Sequence, residues 1–339
     1  MNDMEGAMTA PDDQGRTVYE DEGVRLWQSS GSDDDGVAIL SFKSKGHTLG
    51  PEVLEGIIAA VTHAEANYKG MVIWQPKAPF SFGANLKAMA AMVQAGAFEQ
   101  ADQYIARFQQ MTATLKYARV PVVAGVYGMA LGGGCEVVMH CARAVAAQES
   151  SIGLVEAGVG LLPAGGGCKE FALRAAQVAE ESDSWACIEA AFTTIFSATA
   201  SRDAQQAREK GFLRTTDLIV PDVAAVLPTA RQTALALSAG GYTPPSPARD
   251  IRVAGRDGIA RLEATLAARR EAGEISAHDV RVGRAIAAAL CGGDVDTGAR
   301  VNEDWLLTVE RRAFAELLKT EETQQRIAHT MATGKPLRN

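Results

Sequence analysis

The chain has 339 residues, 47% of them hydrophobic, which is enough for a sizeable core in one large domain or in a domain with an appended region. Its 33 Lys and Arg against 41 Asp and Glu leave a net charge of −8. That balance argues against binding nucleic acid through a basic surface, and any polyanionic ligand has to be met by a local basic patch. Five cysteines without C-x-x-C spacing and five scattered histidines give no disulfide framework and no metal motif, so no metal is expected. No apolar run is long enough to span a membrane and no signal peptide is visible, which makes the cytoplasm the expected location.

Residues 1–17 are polar, Asp-rich and aperiodic, and are expected to form a disordered tail. Residues 24–27 and 37–42 read as two short strands, separated by S-S-G-S-D-D-D-G, a loop of hairpin composition. Pro51 opens a helix in which Val53, Leu54, Ile57, Ile58 and Val61 share one face. Residues 71–74 form the next strand, leading through P-F-S-F-G-A-N-L-K into a helix over about residues 84–92. A longer helix comes next, with Tyr104, Phe108, Met111 and Leu115 at helical spacing, a stripe read as core.

The stretch 120–167 organises the rest. Val120 to Val126 has the composition of a buried strand. It meets Gly128 and the triplet Gly132, Gly133, Gly134 before an apolar helical run resumes with Glu136 in its first turn. Strand, glycine turn and helix start aim free backbone N–H groups at whatever lies in front of them, which suits negative charge developing on oxygen. Glu156 comes after a second strand-like segment, so two carboxylates accompany these donors and point to proton transfer on a carbonyl compound.

Gly165 to Gly167 open a further helix ending near Arg174, and residues 177–200 are helical in composition. Residues 203–210 read as a helix stopped by Gly211, residues 218–220 as a strand, and P-D-V-A-A as the start of another helix. Y-T-P-P-S-P, residues 242–247, reads as a linker, and everything beyond it as helix, with Ser276 and Asp279 spaced as a capping pair. A further helix carries Trp305, Leu306, Val309, Phe314 and Leu317. No internal repeat is visible. Strands alternating with helices imply an α/β core over residues 18–241, and residues 242–339 form a helical region expected to act as a lid or in oligomerisation.

F-S-F-G-A-N-L-K, A-L-G-G-G-C-E and G-L-V-E-A-G-V-G-L-L-P-A-G-G-G, in that order and spacing, resemble the crotonase (enoyl-CoA hydratase/isomerase) superfamily. Within it the chain looks most like the hydratase portion of fused bacterial 3-hydroxyacyl-CoA dehydrogenase/enoyl-CoA hydratase proteins. The resemblance implies a ββα spiral core and an oxyanion hole built from the N–H groups of Ala84 and Gly133. It places Ala84, Asn85, Leu86, Lys87 and Gly133 along the CoA thioester. By the same resemblance Glu136 activates water and Glu156 supplies the α-proton, in a lyase that hydrates trans-2-enoyl-CoA to 3-hydroxyacyl-CoA in fatty-acid oxidation. Two other readings are a Δ-isomerase needing only Glu156, and a non-catalytic acyl-CoA-binding partner of a 3-hydroxyacyl-CoA dehydrogenase. No cofactor is implied beyond the coenzyme A of the substrate, and homotrimers or dimers of trimers are the expected assembly.

The chain departs from the family pattern at Val155, where Pro is frequent, and at Asn85, where an acid is frequent. No G-x-G-x-x-G follows a strand, so a dinucleotide fold is not expected within these residues. Taken singly, Glu136 reads as a first-turn carboxylate on its helix dipole and Glu156 as a solvated loop charge. Cys135 reads as small core filler, His140 as a packed histidine that could orient Glu136, and Lys335 as either a solvated lysine or a phosphate contact. The two glutamates gain a chemical reading only together, in register with the glycine turns.

Overall fold

The computed structural model describes residues 15–29, 35–178 and 184–339. Most of the expected tail, most of the 29–36 loop and residues 179–183 of the helical stretch lie outside the described residues. The chain enters as an antiparallel meander of β1 (Gly15–Glu20), β2 (Val24–Ser29) and β3 (Val37–Phe42), with Val24 opposite Phe42. β1 begins inside the stretch expected as tail. Its residues are too exposed to show a two-residue apolar period. Side chains fasten it instead: Arg25 Nε donates to Thr17 Oγ1 at 2.8 Å and Arg25 Nη2 to the Gly15 carbonyl at 3.0 Å.

Parallel βα units come next. After α1 (Pro51–Asn67), β4 (Gly70–Trp74) pairs with β3. After α2 (Leu86–Gln94) and α3 (Phe98–Lys116), β5 (Val122–Val126) pairs with β4. β6 (Met129–Leu131) and α4 (Gly133–His140) lead to β7 (Arg143–Ala147), which pairs with β5. β8 (Ser151–Gly153) leaves the main sheet to pair in parallel with β6. Then come α5 (Gly167–Val178), α6 (Ser184–Phe196), α7 (Ala204–Glu209) and β9 (Leu218–Val220), the last strand of a seven-stranded sheet ordered β1-β2-β3-β4-β5-β7-β9. α8 (Val226–Ala239) closes this part.

β4 and β5 are buried along their whole length because helices cover both faces of the sheet. Met71 and Ile73 face the core shared with α1 and α3, while Val72 and Trp74 face α8 through Ala230 and Ala234. Val53, Leu54, Ile57 and Val61 of α1 are fully buried, as their spacing predicts, and Ile58 is only partly covered.

Residues 242–247 are irregular, as their prolines dictate, but the chain beyond them is not all helix. β10 (Ile251–Arg252) and β11 (Arg300–Val301) form a two-stranded ribbon around α9 (Gly255–Glu271) and α10 (Ala277–Cys291). Two residues per strand carry no period to read. Ser276 and Asp279 form the expected capping box, with side chain and backbone bonded reciprocally at 2.9 and 3.0 Å. α11 (Glu303–Leu318) and α12 (Glu321–Thr333) complete the fold. Leu262, Ile286, Phe314 and Leu317 belong to the same continuous core as Phe108 and the sheet. The helical region is therefore built into the body of the molecule.

Candidate active site

Two turns bring the site together. In the first, Ser81 Oγ donates to the His47 carbonyl at 2.7 Å and accepts the Gly83 N–H at 3.0 Å, while Leu49 N–H donates to the Gly83 carbonyl at 2.8 Å. This zips residues 47–49 to residues 81–84. In the second, Gly132 N–H donates to the Gly153 carbonyl at 2.8 Å where β6 ends beside β8. The turns abut: a Cβ on Gly83 would come within 2.9 Å of the Gly133 nitrogen. The N–H groups of Gly83 and Gly132 are thus used internally. Those of Ala84 and Gly133 have no protein acceptor among the described residues.

Glu136 and Glu156 face the same cavity as Ala84 and Gly133. The cavity measures about 60 Å³, and its apolar walls include Leu86, Met89, Phe108, Leu162 and Phe314. Two of the glycines around it stand directly behind the carboxylates. Gly132 has φ +53°, and a Cβ there would lie 3.1 Å from Glu156 Oε1; a Cβ on Gly165 would come within 2.6 Å of Glu136 Oε2. The glycines let the backbone pass directly behind each carboxylate.

Glu136 is buried, and Gly167 N–H donates to its Oε1 at 2.8 Å. Burial pushes its carboxyl up to about 7, against the pull of the Gly167 and Gly165 N–H groups and of Lys169. Glu156 opens a short 3₁₀ turn, Glu156–Val159, and its Oε2 is sealed from solvent with no hydrogen-bond partner among the described residues. Burial first, and then the nearby Glu136 charge, hold its carboxyl well above the ordinary range. Two acids without a cation of their own titrate as a pair, and Glu156 holds the proton more firmly.

Of the other residues named from the sequence, Leu86 lines the cavity. Asn85 caps α2, accepting the Ala88 N–H at 3.2 Å, and does not line the cavity. Lys87 is exposed. His140 does not orient the Glu136 carboxylate: its Nδ1 lies 2.7 Å from the Glu136 main-chain oxygen, and its Nε2 lies 3.0 Å from Lys169 Nζ. Burial and Lys169 keep that imidazole neutral, so it donates from Nδ1 and accepts at Nε2. Cys135 is fully buried, and burial pushes its thiol well up, as core filler requires. Lys335 is exposed, and its backbone N–H caps onto Thr333 Oγ1.

The sequence reading did not single out the loop 164–167 as a support, nor what holds it. Gln109 Nε2 donates to the Ala164 carbonyl at 2.8 Å, and Thr112 Oγ1 to the Gly165 carbonyl at 2.7 Å. Glu310 of α11 accepts the Gly166 N–H at 3.1 Å and the Lys169 N–H. Behind α4 and α5 lies a second polar cluster. Lys116 Nζ meets Glu170 Oε1 at 2.7 Å, Lys169 pairs with the same carboxylate, and Tyr117 donates to Glu303 Oε2 at 2.7 Å. Burial would push Glu170 up, but Lys169 and Lys116 outweigh it and hold the carboxyl well below its usual range.

At the outer end of the 47–49 segment, a surface cavity of about 400 Å³ carries Arg25, Lys43, His47 and Lys77 around Trp27. On an acidic chain this is a local basic patch with an aromatic floor. The Lys45–His47 turn connects it to the Gly83–Ala84 turn.

Residues 33–182 match the family model described as "Enoyl-CoA hydratase/isomerase". Among curated proteins, the chain is 38% identical over 305 residues to one named "Probable 3-hydroxyacyl-CoA dehydrogenase" from Bacillus subtilis; the match takes in 90% of this chain and 38% of that protein. A "Fatty acid oxidation complex subunit alpha" from Shewanella frigidimarina is 35% identical over 116 residues, 32% of this chain and 16% of that one. The chain thus spans well under half the length of these relatives. The crystal structure of an enoyl-CoA hydratase from Bacillus anthracis superposes with a TM-score of 0.52, covering 94% of this chain and 99% of that one at 20% identity, a likeness of fold. Residues 33–182 thus carry the pattern of the enoyl-CoA hydratase/isomerase family model, and the chain shares the fold of the solved enoyl-CoA hydratase.

Proposed function

We propose that the chain hydrates trans-2-enoyl-CoA thioesters to 3-hydroxyacyl-CoA. The observation that carries this reading is the convergence of two cation-free carboxyls and two uncommitted backbone N–H groups on one apolar-walled cavity. The thioester oxygen rests between the Ala84 and Gly133 N–H groups, which stabilise the enolate as it forms. Glu136, the more acidic of the pair, takes a proton from water as the water oxygen bonds to the β-carbon. Glu156, protonated and otherwise unpartnered, gives its proton to the α-carbon. Each carboxyl ends in the other's starting state, and one proton passing between them or through solvent resets the site. No cofactor takes part beyond the coenzyme A that the substrate carries.

The basic cavity at Arg25, Lys43 and Lys77 would receive the phosphates of coenzyme A, with the pantetheine running along residues 47–49 toward Ala84. A cavity of about 60 Å³ holds a few water molecules, so an acyl chain enters by displacing Leu86 and Met89 of α2. The product is of the class that the Bacillus relative's name gives as a dehydrogenase substrate, which makes such a dehydrogenase the expected partner activity. Double-bond isomerisation is the second reading, favoured by the lone Oε2 of Glu156, since that chemistry needs a single carboxyl.

Loss of the enoyl-thioester absorbance of crotonyl-CoA tests the proposal. Hydration by the wild-type chain, abolished in both Glu136→Gln and Glu156→Gln, supports it. A 3-enoyl-CoA isomerised by Glu136→Gln but not by Glu156→Gln supports the second reading. Absence of both reactions, with acyl-CoA still bound, overturns both in favour of a binding subunit.

A further inference from the structure

We propose that Glu310 is a positioning residue for Glu136: its carboxylate clamps the Gly166–Lys169 turn so that the Gly167 N–H stays aimed at Glu136 Oε1. The proposal rests on the reading of Glu136 as the base that activates water. Glu310 is completely buried, contributed by a helix 144 residues away in sequence from Gly166. One of its oxygens accepts the Gly166 N–H and the other the Lys169 N–H, so both are used as acceptors. An ionised carboxylate offers that at both oxygens; a protonated acid turns one of them into a donor.

The bonding of the loop leaves little freedom. Gln109 and Thr112 hold the Ala164 and Gly165 carbonyls, Glu310 holds the N–H groups of Gly166 and Lys169, and the Gly167 N–H between them meets Glu136. Without Glu310, two main-chain donors in the interior lose their acceptor and the turn carrying Gly167 relaxes. The ionisable groups facing Glu136 are Tyr104 of α3, Cys135 of its own helix, Glu156, Cys168 and Lys169 of α5, and Glu310 of α11. The cation in this set, Lys169, is engaged at its Nζ by Glu170 and His140. Burial, and then the Glu136 charge, push Glu310 up, against the pull of Lys169 and of the two N–H groups that it accepts.

Glu310→Gln, with Glu303→Gln as a control, tests the proposal. Glu303 is likewise a buried carboxylate on the same helix, but it meets Lys116, Tyr117 and the Ala248 N–H and not the Gly166–Gly167 turn. Glu310→Gln should lower kcat for crotonyl-CoA by about 10- to 100-fold with KM changed less than about threefold, the signature of a displaced base without a lost substrate contact. The acid limb of kcat/KM should move up by about one pH unit, because Glu136 loses the Gly167 N–H bond that favours its ionised form. Glu303→Gln should leave that limb in place. An unmoved limb in Glu310→Gln, or an equal movement in both variants, overturns the proposal.

If Glu310→Gln fails to fold, Glu310→Asp keeps the charge while its shorter side chain cannot reach both N–H groups. It should lose kcat and move the limb in the same direction, and wild-type kcat would overturn the proposal. Titration of the Glu136 carboxyl by carbon-13 NMR, identified by its absence in Glu136→Gln, reads the same shift without substrate. It therefore decides the role of Glu310 even if the wild-type chain hydrates nothing and the functional reading fails.

Discussion

Two sets of buried ionisable groups meet at α4 and α5, and they are built on opposite principles. In the cluster of Lys116, Lys169, Glu170 and Glu303, cations and anions balance, and Tyr117 and the Ala248 N–H take up remaining valences. At the cavity, Glu136 and Glu156 form no salt bridge among the described residues, and one oxygen has no hydrogen-bond partner among them. Burial with and without a counter-charge therefore gives opposite titration: Glu170 is held well below the usual carboxyl range, whereas Glu136 and Glu156 are pushed above it. Neutral balance makes structure, and unbalanced acid makes a group ready to exchange protons near neutral pH.

The sharpest way to break this contrast is to remove single charges from each set. Glu136→Gln and Glu156→Gln should each lower the hydration rate by about two to four orders of magnitude, measured as crotonyl-CoA turnover, while leaving the fold intact by circular dichroism. Lys169→Met should do the reverse. It strands Glu170 beside the single remaining lysine and should cost about 3–5 kcal/mol in urea unfolding, so the protein is lost before its chemistry can be read.

A smaller effect sharpens the sign. Glu136 titrates near 7 in the folded chain, above its ordinary value of 4.5, so its protonated form is the one that folding favours. Its contribution is fully present below about pH 4.5 and is lost as pH rises through 7. The melting temperature of Glu136→Gln relative to wild type should therefore rise by about 5 °C between pH 5 and pH 8, the scale of roughly 3 kcal/mol. A difference that stays flat across this window would mean that Glu136 is not strained by its charge.

What could be read from the sequence was what is local. The fully apolar β4 and β5, the stripe on α1 and the Ser276–Asp279 box are patterns within a few residues, and they sit where the spacing puts them. The two glycine turns were legible for the same reason, and they carried Glu136 and Glu156 with them into one cavity. The exposed β1 and the short strands β6, β10 and β11 gave no period to read. Gln109, Thr112, Glu310 and Phe314 are ordinary residues on ordinary helices. Their roles arise from contacts 53 to 198 residues away, which no local spacing encodes.

The joining of α11 to the loop 164–167 also bears on how the molecule comes into being. The sheet and its covering helices close through neighbouring βα units, whereas Glu310 must find Gly166 across 144 residues and Gln109 must find Leu307 across 198. Bridges of that span form late, after the entropy of closing so long a loop has been met by other contacts. On dilution from denaturant, far-UV ellipticity should recover ahead of turnover, leaving for a time a chain with its secondary structure in place and its chemistry still silent.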